Sequence, residues 1–187
     1  MAPSPRSVAL LRGINVGGKH RVPMAELRAL AEGLSWRDVR TVIQSGNLLF
    51  TAAGTEDKQA TALERALAAE FGFEVPVVVR RRDALQQDLD GCPFGDALAS
   101  RPNLLHAGWS RAALSPRLAT AIEPYAKAGE RIAVRGGCLW IDFENGVARS
   151  KVTSAVLDRL VGSSVTMRNG KTLAAILAAD DASPRDE

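Results

Sequence analysis

Residues 39–51, VRTVIQSGNLLFT, predict a β-hairpin, because two apolar runs stand on either side of a short polar turn. Residues 39–44 and 47–51 form its strands, and Ser45-Gly46 is a turn of the kind that joins antiparallel strands. A helical pattern precedes the hairpin, another follows it, and one further apolar strand lies beyond each. The order is therefore βαββαβ, with strands at 8–12, 39–44, 47–51 and 75–80 and helices at 23–33 and 56–70.

The second half of the chain repeats this order. A second hairpin turns at Gly136-Gly137, helical patterns flank it, and a short helix follows the last strand of each half. Repeated βαββαβ units are typical of ferredoxin-like split βαβ folds. We predict an α+β protein of two such units in tandem, 1–91 and 92–187, each an antiparallel sheet with helices on one face. The further elements are strands at 104–109, 131–135, 138–143 and 164–168, helices at 115–126 and 150–161, and trailing helices at 82–90 and 171–179.

Composition and charge favour an ordinary globular protein. Of 187 residues, 46% are hydrophobic and 24% charged, and no apolar run is long enough to span a bilayer. The pI is near 9.2, but both halves carry 12 basic side chains, against 11 acidic ones in residues 1–91 and 10 in residues 92–187. Neither half is thus a basic domain, and the pI is weak evidence for nucleic-acid binding. The start MAPSPRS lacks a signal peptide's apolar core, and two distant cysteines indicate no disulfide framework, so we expect a cytoplasmic protein without a membrane partner.

Residues 13–19, GINVGGK, match the spacing of a phosphate-binding P-loop, with four residues between Gly13 and Gly18 and then Lys19. A P-loop requires Ser or Thr after the lysine and a helix that begins there, within a parallel sheet. Here His20 takes the Ser/Thr position, and the predicted helix begins only at Pro23. The element order is also that of an antiparallel sheet. The match to a nucleotide-hydrolase loop is therefore accidental.

The same loop is still a candidate anion site. In a split βαβ unit, the loop after strand one and the hairpin between strands two and three emerge at one end of the sheet. Exposed glycine N–H groups, basic side chains and polar hairpin side chains would then meet there. A structural explanation also stands, since glycines fold long connections and Ser-Gly-Asn makes ordinary hairpins. The candidate ligand-binding residues are Arg12, Gly13, Asn15, Gly17, Gly18, Lys19, Gln44, Ser45 and Asn47.

A second candidate anion site lies in the second unit. The connection after its third strand and the end of its fourth strand share one end of the sheet, and basic residues occur in both. Alternatively, Ser150 is a helix N-cap and Lys171 is a solvated residue in the first turn of a helix. The candidate residues are Arg149, Ser150, Lys151, Arg168 and Asn169.

Other catalytic or metal-binding patterns are weak. His20 and His106 have no metal-ligand neighbour at helical spacing, and Cys138 on a strand is typical of a small core residue. Asp142 and Glu144 form a carboxylate pair that could hold a metal, although alternation on a solvated strand face is the commoner explanation. We expect no cofactor and no metal site.

The motifs LLRGINVGGK, PMAELR, QSGN, GVARSK and TMRN-x-KT together resemble the bacterial domain of unknown function 1697. The resemblance covers about residues 8–178. It implies an αβ fold of two ferredoxin-like units and brings no established activity. Many relatives carry Trp after the Arg-Asn pair, where this chain has Gly170.

Three functions follow from these patterns. The favoured one is a binding protein for a small phosphorylated or nucleotide-like anion, held by one or both basic loop ends. The alternatives are an enzyme acting on such a ligand, with the glycine-rich loop stabilising negative charge, and a protein that binds the nucleic-acid backbone. Turnover distinguishes the first two, and a steep salt dependence would indicate the third. The sequence supports no expectation about oligomeric state.

Overall fold

The computed structural model describes residues 6–18, 20–43 and 46–179. The chain divides into two compact units. One comprises the described residues up to Leu85 together with those from Ala175 onward, and the other is Gln86–Ala174. The ranges 1–91 and 92–187 remain a prediction. Within the described residues, no helix is both long and apolar enough to cross a membrane.

The first unit is built on a four-stranded sheet of order β2-β3-β1-β4, in which every neighbouring pair is antiparallel. Because β3 lies between β1 and β2, these two strands are parallel to each other, as a split βαβ unit requires. Its elements are β1 (Arg6–Leu11), α1 (Met24–Gly33), β2 (Arg37–Thr41), β3 (Asn47–Thr51), α2 (Glu56–Phe71) and β4 (Val77–Arg81).

The second unit repeats this arrangement with sheet order β6-β7-β5-β8, again with every neighbouring pair antiparallel. The predicted α+β class and the two tandem ferredoxin-like units are thereby confirmed. The remaining elements are α3 (Arg82–Asp90), α4 (Gly95–Ser100), β5 (Leu105–Ser110), α5 (Arg117–Ile122), β6 (Arg131–Arg135), β7 (Cys138–Asp142), α6 (Ser154–Val161), β8 (Val165–Asn169) and α7 (Gly170–Ala178), with 3-10 turns at Glu123–Tyr125 and Val147–Arg149.

Strand alternation creates the core of the first unit. Alternate residues of β1, β3 and β4 are buried against α1 and α2, and Trp36 stacks on Phe50 with ring centroids 3.8 Å apart. Thr55 caps α2 by accepting a hydrogen bond from the Lys58 N–H, and Gly72 ends it in the left-handed conformation. The apolar stripes of both helices therefore cover one face of the sheet.

The core of the second unit is formed in the same way. Leu139, Ile141 and Val165 are buried against residues of α5 and α6. Thr153 caps α6 by accepting a hydrogen bond from the Val156 N–H, and Gly162 ends it with φ 72°. Corresponding caps and helix ends thus recur in the two units.

Several elements differ from the prediction, and three of these differences have a local explanation. β2 is Arg37–Thr41 rather than 39–44, because the chain leaves the extended conformation at Ile43, which has φ 56°. α6 begins at Ser154 rather than 150, since Thr153 is its cap. α4 was not predicted, as its six residues are too short to show a helical period.

Candidate functional site

The glycine-rich loop and the hairpin turn of the first unit lie together, as the topology predicts. Leu10 pairs with Asn47 across β1 and β3, and the Leu11 N–H donates to the Gly46 carbonyl over 2.8 Å. Gly46 has φ +75°, and a Cβ there would stand 2.9 Å from the Leu11 Cβ and 3.0 Å from Ile14 Cδ1. The loop therefore packs against the turn at a position that only glycine fits without a shift.

Asn15 closes the loop onto itself. Its Nδ2 donates to the Val22 carbonyl and its Oδ1 accepts from the Val22 N–H, both over 2.9 Å. The Asn15 N–H also donates to the His20 carbonyl over 3.1 Å. The Asn15 amide is thus occupied in joining Asn15 to Val22, so this predicted ligand residue has a structural role.

Asn47 is likewise occupied by the backbone. It is fully buried, and its Nδ2 donates to the Val42 carbonyl over 3.0 Å, while the Val42 N–H donates to the Asn47 carbonyl. These bonds close the connection between β2 and β3. Gln44, Ser45 and Lys19, which the sequence also proposes for this site, lie outside the described residues.

The loop presents glycine backbone to solvent. Gly13, Gly17 and Gly18 are exposed with φ +71°, +59° and +74°, and a Cβ added at any of them would meet nothing within 4 Å. Two large apolar side chains at this end are also exposed, Val16 at 69% and Ile43 at 51%. An open backbone surface therefore lies beside two exposed apolar side chains.

Basic groups border this surface. Arg12 is half-buried, and its backbone N–H donates to the Pro76 carbonyl over 3.0 Å. His20 stacks on Phe73 with ring centroids 4.7 Å apart, and Arg21 is exposed. α1 begins at Met24, not directly after the glycines, and the sheet is antiparallel, so the loop is not a P-loop.

The second candidate end is also formed as the topology predicts, but its polar groups are engaged within the unit. Ser150 Oγ donates to the Glu130 carboxylate and accepts from the Val152 N–H over 3.0 Å. Asn169 Oδ1 accepts from the Thr172 N–H over 2.8 Å, at the start of α7. Arg149 and Lys151 remain exposed.

Arg168 faces away from the helix-side core of the second unit. Its neighbour Met167 packs in that core, and alternation along β8 places Arg168, paired with Ala107, on the other face. Its Nη1 donates to the Met167 carbonyl over 2.9 Å. Burial lowers the pKa of Arg168 to about 10, so the guanidinium stays charged at pH 7.

The structure contains an ionic cluster around buried Asp142 that the sequence analysis did not predict. Asp142 is fully buried, so its assignment to a solvated strand face was wrong. Arg101 binds it through Nη2 at 2.6 Å and Nε at 3.1 Å, and Arg131 through Nη2 at 2.8 Å and Nε at 3.0 Å. Arg131 also donates to Asp96 over 2.7 Å and lies 4.8 Å from the Phe94 ring centroid. The cluster attaches α4 to the sheet.

The pKa of Asp142 reflects two opposing causes. Burial raises it, but the hydrogen bonds and charges of Arg101 and Arg131 outweigh burial and lower the pKa below its usual value. Two cations on one buried carboxylate indicate a structural cluster. The predicted hairpin around Gly136-Gly137 places Arg131 opposite Asp142, so this pair could be derived from the sequence. No local pattern indicates Arg101, because it lies 41 positions from Asp142 in the chain.

The remaining chemically notable side chains have structural roles. Cys138 is fully buried, which confirms the prediction of a core residue. His106 meets the Phe143 ring edge-on with centroids 5.2 Å apart, and burial lowers its pKa. Across residues 6–18, 20–43 and 46–179, no three His, Cys, Asp or Glu side chains are grouped to hold a metal.

Gly170 is buried at the start of α7. A Cβ there would stand 3.1 Å from Leu98 Cδ1 and 3.2 Å from the Pro102 carbonyl oxygen. The tryptophan expected from the resemblance therefore does not fit this packing.

Comparisons with known proteins agree with this fold. The family described as "Protein of unknown function (DUF1697)" matches residues 5–140. No curated protein matches the chain. The structure of conserved bacterial protein SP0830 from Streptococcus pneumoniae is similar with a TM-score of 0.72 and 24% identity, over 93% of this chain and 97% of that one, which shows a shared fold. Since the family match covers more than half of the chain, the protein belongs to the DUF1697 family of proteins of unknown function.

Proposed function

We propose that the end of the first unit binds a small phosphorylated, nucleotide-like anion. The observation that carries the proposal is the exposed glycine backbone at Gly17 and Gly18, which follows Asn15, a residue held to Val22 by two side-chain hydrogen bonds. Exposed backbone N–H groups are effective donors to phosphate oxygens. Because the loop is already closed by side-chain bonds, binding would cost little ordering entropy.

Charge supports an anionic ligand. Arg12 and Arg21 flank the loop, and Lys19 adds a third full positive charge within it. The N-terminus of α1, which follows the loop, adds partial positive charge. A phosphate would receive charge-assisted hydrogen bonds, which are roughly twice as strong as neutral ones.

The exposed apolar side chains favour a nucleotide-like ligand over bare phosphate. Val16 and Ile43 expose more than half of their surface at the same end of the sheet. Such side chains can cover the flat face of a base or another apolar part of the ligand, which removes that surface from water. A bare phosphate offers no surface for them to cover.

The second unit's end is a weaker candidate. Ser150 and Asn169 already have partners, and the Glu130 carboxylate beside Ser150 would repel an anion. Arg149 and Lys151 are exposed there without a glycine loop. The two ends of one repeated fold therefore differ in what they present to solvent.

Calorimetric titration of the full chain with ADP tests the proposal. Lys19→Ala should weaken ADP binding severalfold, whereas Lys151→Ala, which removes the same charge from the other unit, should change it less than about twofold. Equal weakening by both variants, or no saturable binding of ADP, would contradict the proposal. Incubation of ADP or ATP with the protein, followed by product analysis, distinguishes binding from catalysis.

A further inference from the structure

Each unit has a groove between its two sheet-packed helices. The groove between α1 and α2 has a volume of about 410 Å³, and the one between α5 and α6 about 210 Å³. Because both units share one topology, a groove at this place follows from the fold. Its size and lining, however, differ between the two units.

The α1–α2 groove has an apolar floor. Leu30 and Leu34 pack on the core of the first unit while remaining partly exposed in the groove, and Ala66 contributes from α2. Gly33 leaves the groove open, because a Cβ added there would meet nothing within 4 Å. A volume of 410 Å³ falls within the roughly 300–1,000 Å³ of small-molecule sites.

Two carboxylates, Glu26 and Glu70, line the same groove and are exposed. Neither side chain has a hydrogen bond or ion pair with any other described residue. Glu70 lies in the last turn of α2, where the helix dipole disfavours a negative charge, and that turn contains no basic residue. A cation bound in the groove would offset this unfavourable electrostatic arrangement.

The α5–α6 groove provides an internal comparison. It is about half as large and is lined by Arg117 and Ser115 in place of a carboxylate pair. The negative lining is therefore particular to the first unit and is not imposed by the repeated fold.

We propose that the α1–α2 groove binds a small organic cation, a primary ammonium group attached to an apolar body. The ammonium group would pair with Glu26 and Glu70, and the apolar body would cover Leu30 and Leu34. The volume of the groove suits a small molecule, whereas a helical peptide would need a longer apolar groove. This ligand differs in charge from the anion proposed for the glycine loop, so the two sites are tested separately.

Titration of the ¹⁵N-labelled full chain with 2-phenylethylammonium tests this site. The amide signals of Leu30, Gly33 and Ala66 should shift saturably, while those of Arg117 and Leu160 in the other groove should not. The neutral isostere 2-phenylethanol should bind at least fivefold more weakly, and 3-phenylpropionate should not bind. Equal binding of the anion and the ammonium compound would overturn the proposal, as would shifts of the same size in both grooves.

Variants test the roles of charge and space. Glu26→Gln and Glu70→Gln should each weaken 2-phenylethylammonium binding severalfold, and Gly33→Leu, which fills the groove, should abolish it. Glu32→Gln is the matched control, because Glu32 is exposed on α1 but does not line the groove. If the glutamine variants of Glu26 and Glu70 bind like Glu32→Gln, the proposal fails whether or not Gly33→Leu folds.

Discussion

At the scale of single residues, three asparagines show why a polar motif does not identify a ligand site by itself. The sequence predicts Asn15, Asn47 and Asn169 as ligand groups, and in the structure each side-chain amide bonds to backbone of its own unit. Backbone and ligand use the same donors and acceptors. Residue type therefore predicts that the loop end is polar. The hydrogen-bond partner of each asparagine side chain depends on how the loop folds.

Replacement of Asn15 by glycine tests the role of its amide. Glycine keeps the freedom to adopt φ 57°, so the change removes the two bonds to Val22 without adding backbone strain. We expect a loss of about 1–2 kcal/mol in the free energy of unfolding and faster hydrogen exchange at the Val22 amide. Asn103→Gly, at an exposed turn, is the control. Unchanged Val22 protection would show that the amide does not hold the loop.

The packing of Gly46 yields a second prediction at this scale. Gly46→Ala and Gly72→Ala both place alanine at positive φ, +75° and +74°. The added Cβ should clash with Leu11 and Ile14 at position 46, whereas at position 72 it would meet nothing within 4 Å. Each change should cost about 1–2 kcal/mol for the backbone conformation. Gly46→Ala should cost a further 1–3 kcal/mol or so for overpacking against Leu11 and Ile14. Urea unfolding measures the difference, and equal costs would mean that loop and turn do not pack tightly.

At the scale of elements, local signals predict most of the fold. Turns, caps and apolar periods lie within a few residues of one another, so the hairpins and the order of the strands can be derived from the sequence. The attachment of α4 cannot, because it depends on Asp142 meeting Arg101, a residue 41 positions away in the chain. A single carboxylate on a strand does not indicate whether solvent or another element covers it.

The ionic cluster makes the stability of the second unit depend on pH. The arginines lower the pKa of Asp142 in the folded state, so its contribution is fully present above the unfolded value, about 3.9, and is lost as pH falls through the folded pKa. Asp142→Asn should lower stability by about 3–5 kcal/mol at pH 7, because two arginines lose a buried partner.

Thermal unfolding of the wild type and Asp142→Asn between pH 7 and pH 2 measures this contribution. The difference in melting temperature should be constant from pH 7 to about pH 4 and shrink below that. Glu144→Gln removes a neighbouring exposed carboxylate and should show no such pattern. A difference that does not change with pH would mean that Asp142 is not ionised in the folded protein.

At the scale of the whole molecule, one topology occurs twice with different loop ends. The first unit presents open glycine backbone beside exposed Val16 and Ile43, and the second unit uses its Ser150 and Asn169 within its own fold. The sequence repeat predicts the shared fold, because both units need the same buried strands. It does not predict this divergence, which depends on individual side-chain partners.

The central claim is that the glycine loop of the first unit binds a phosphorylated, nucleotide-like anion, and titration of the ¹⁵N-labelled full chain with ADP tests it most directly. We expect saturable shifts that are largest at Gly13, Gly17 and Gly18, because their open backbone would donate to phosphate oxygens. Inorganic phosphate in excess should reverse them. If the shifts instead centre on Arg149 and Lys151, or if no amide of the loop responds, the claim is wrong.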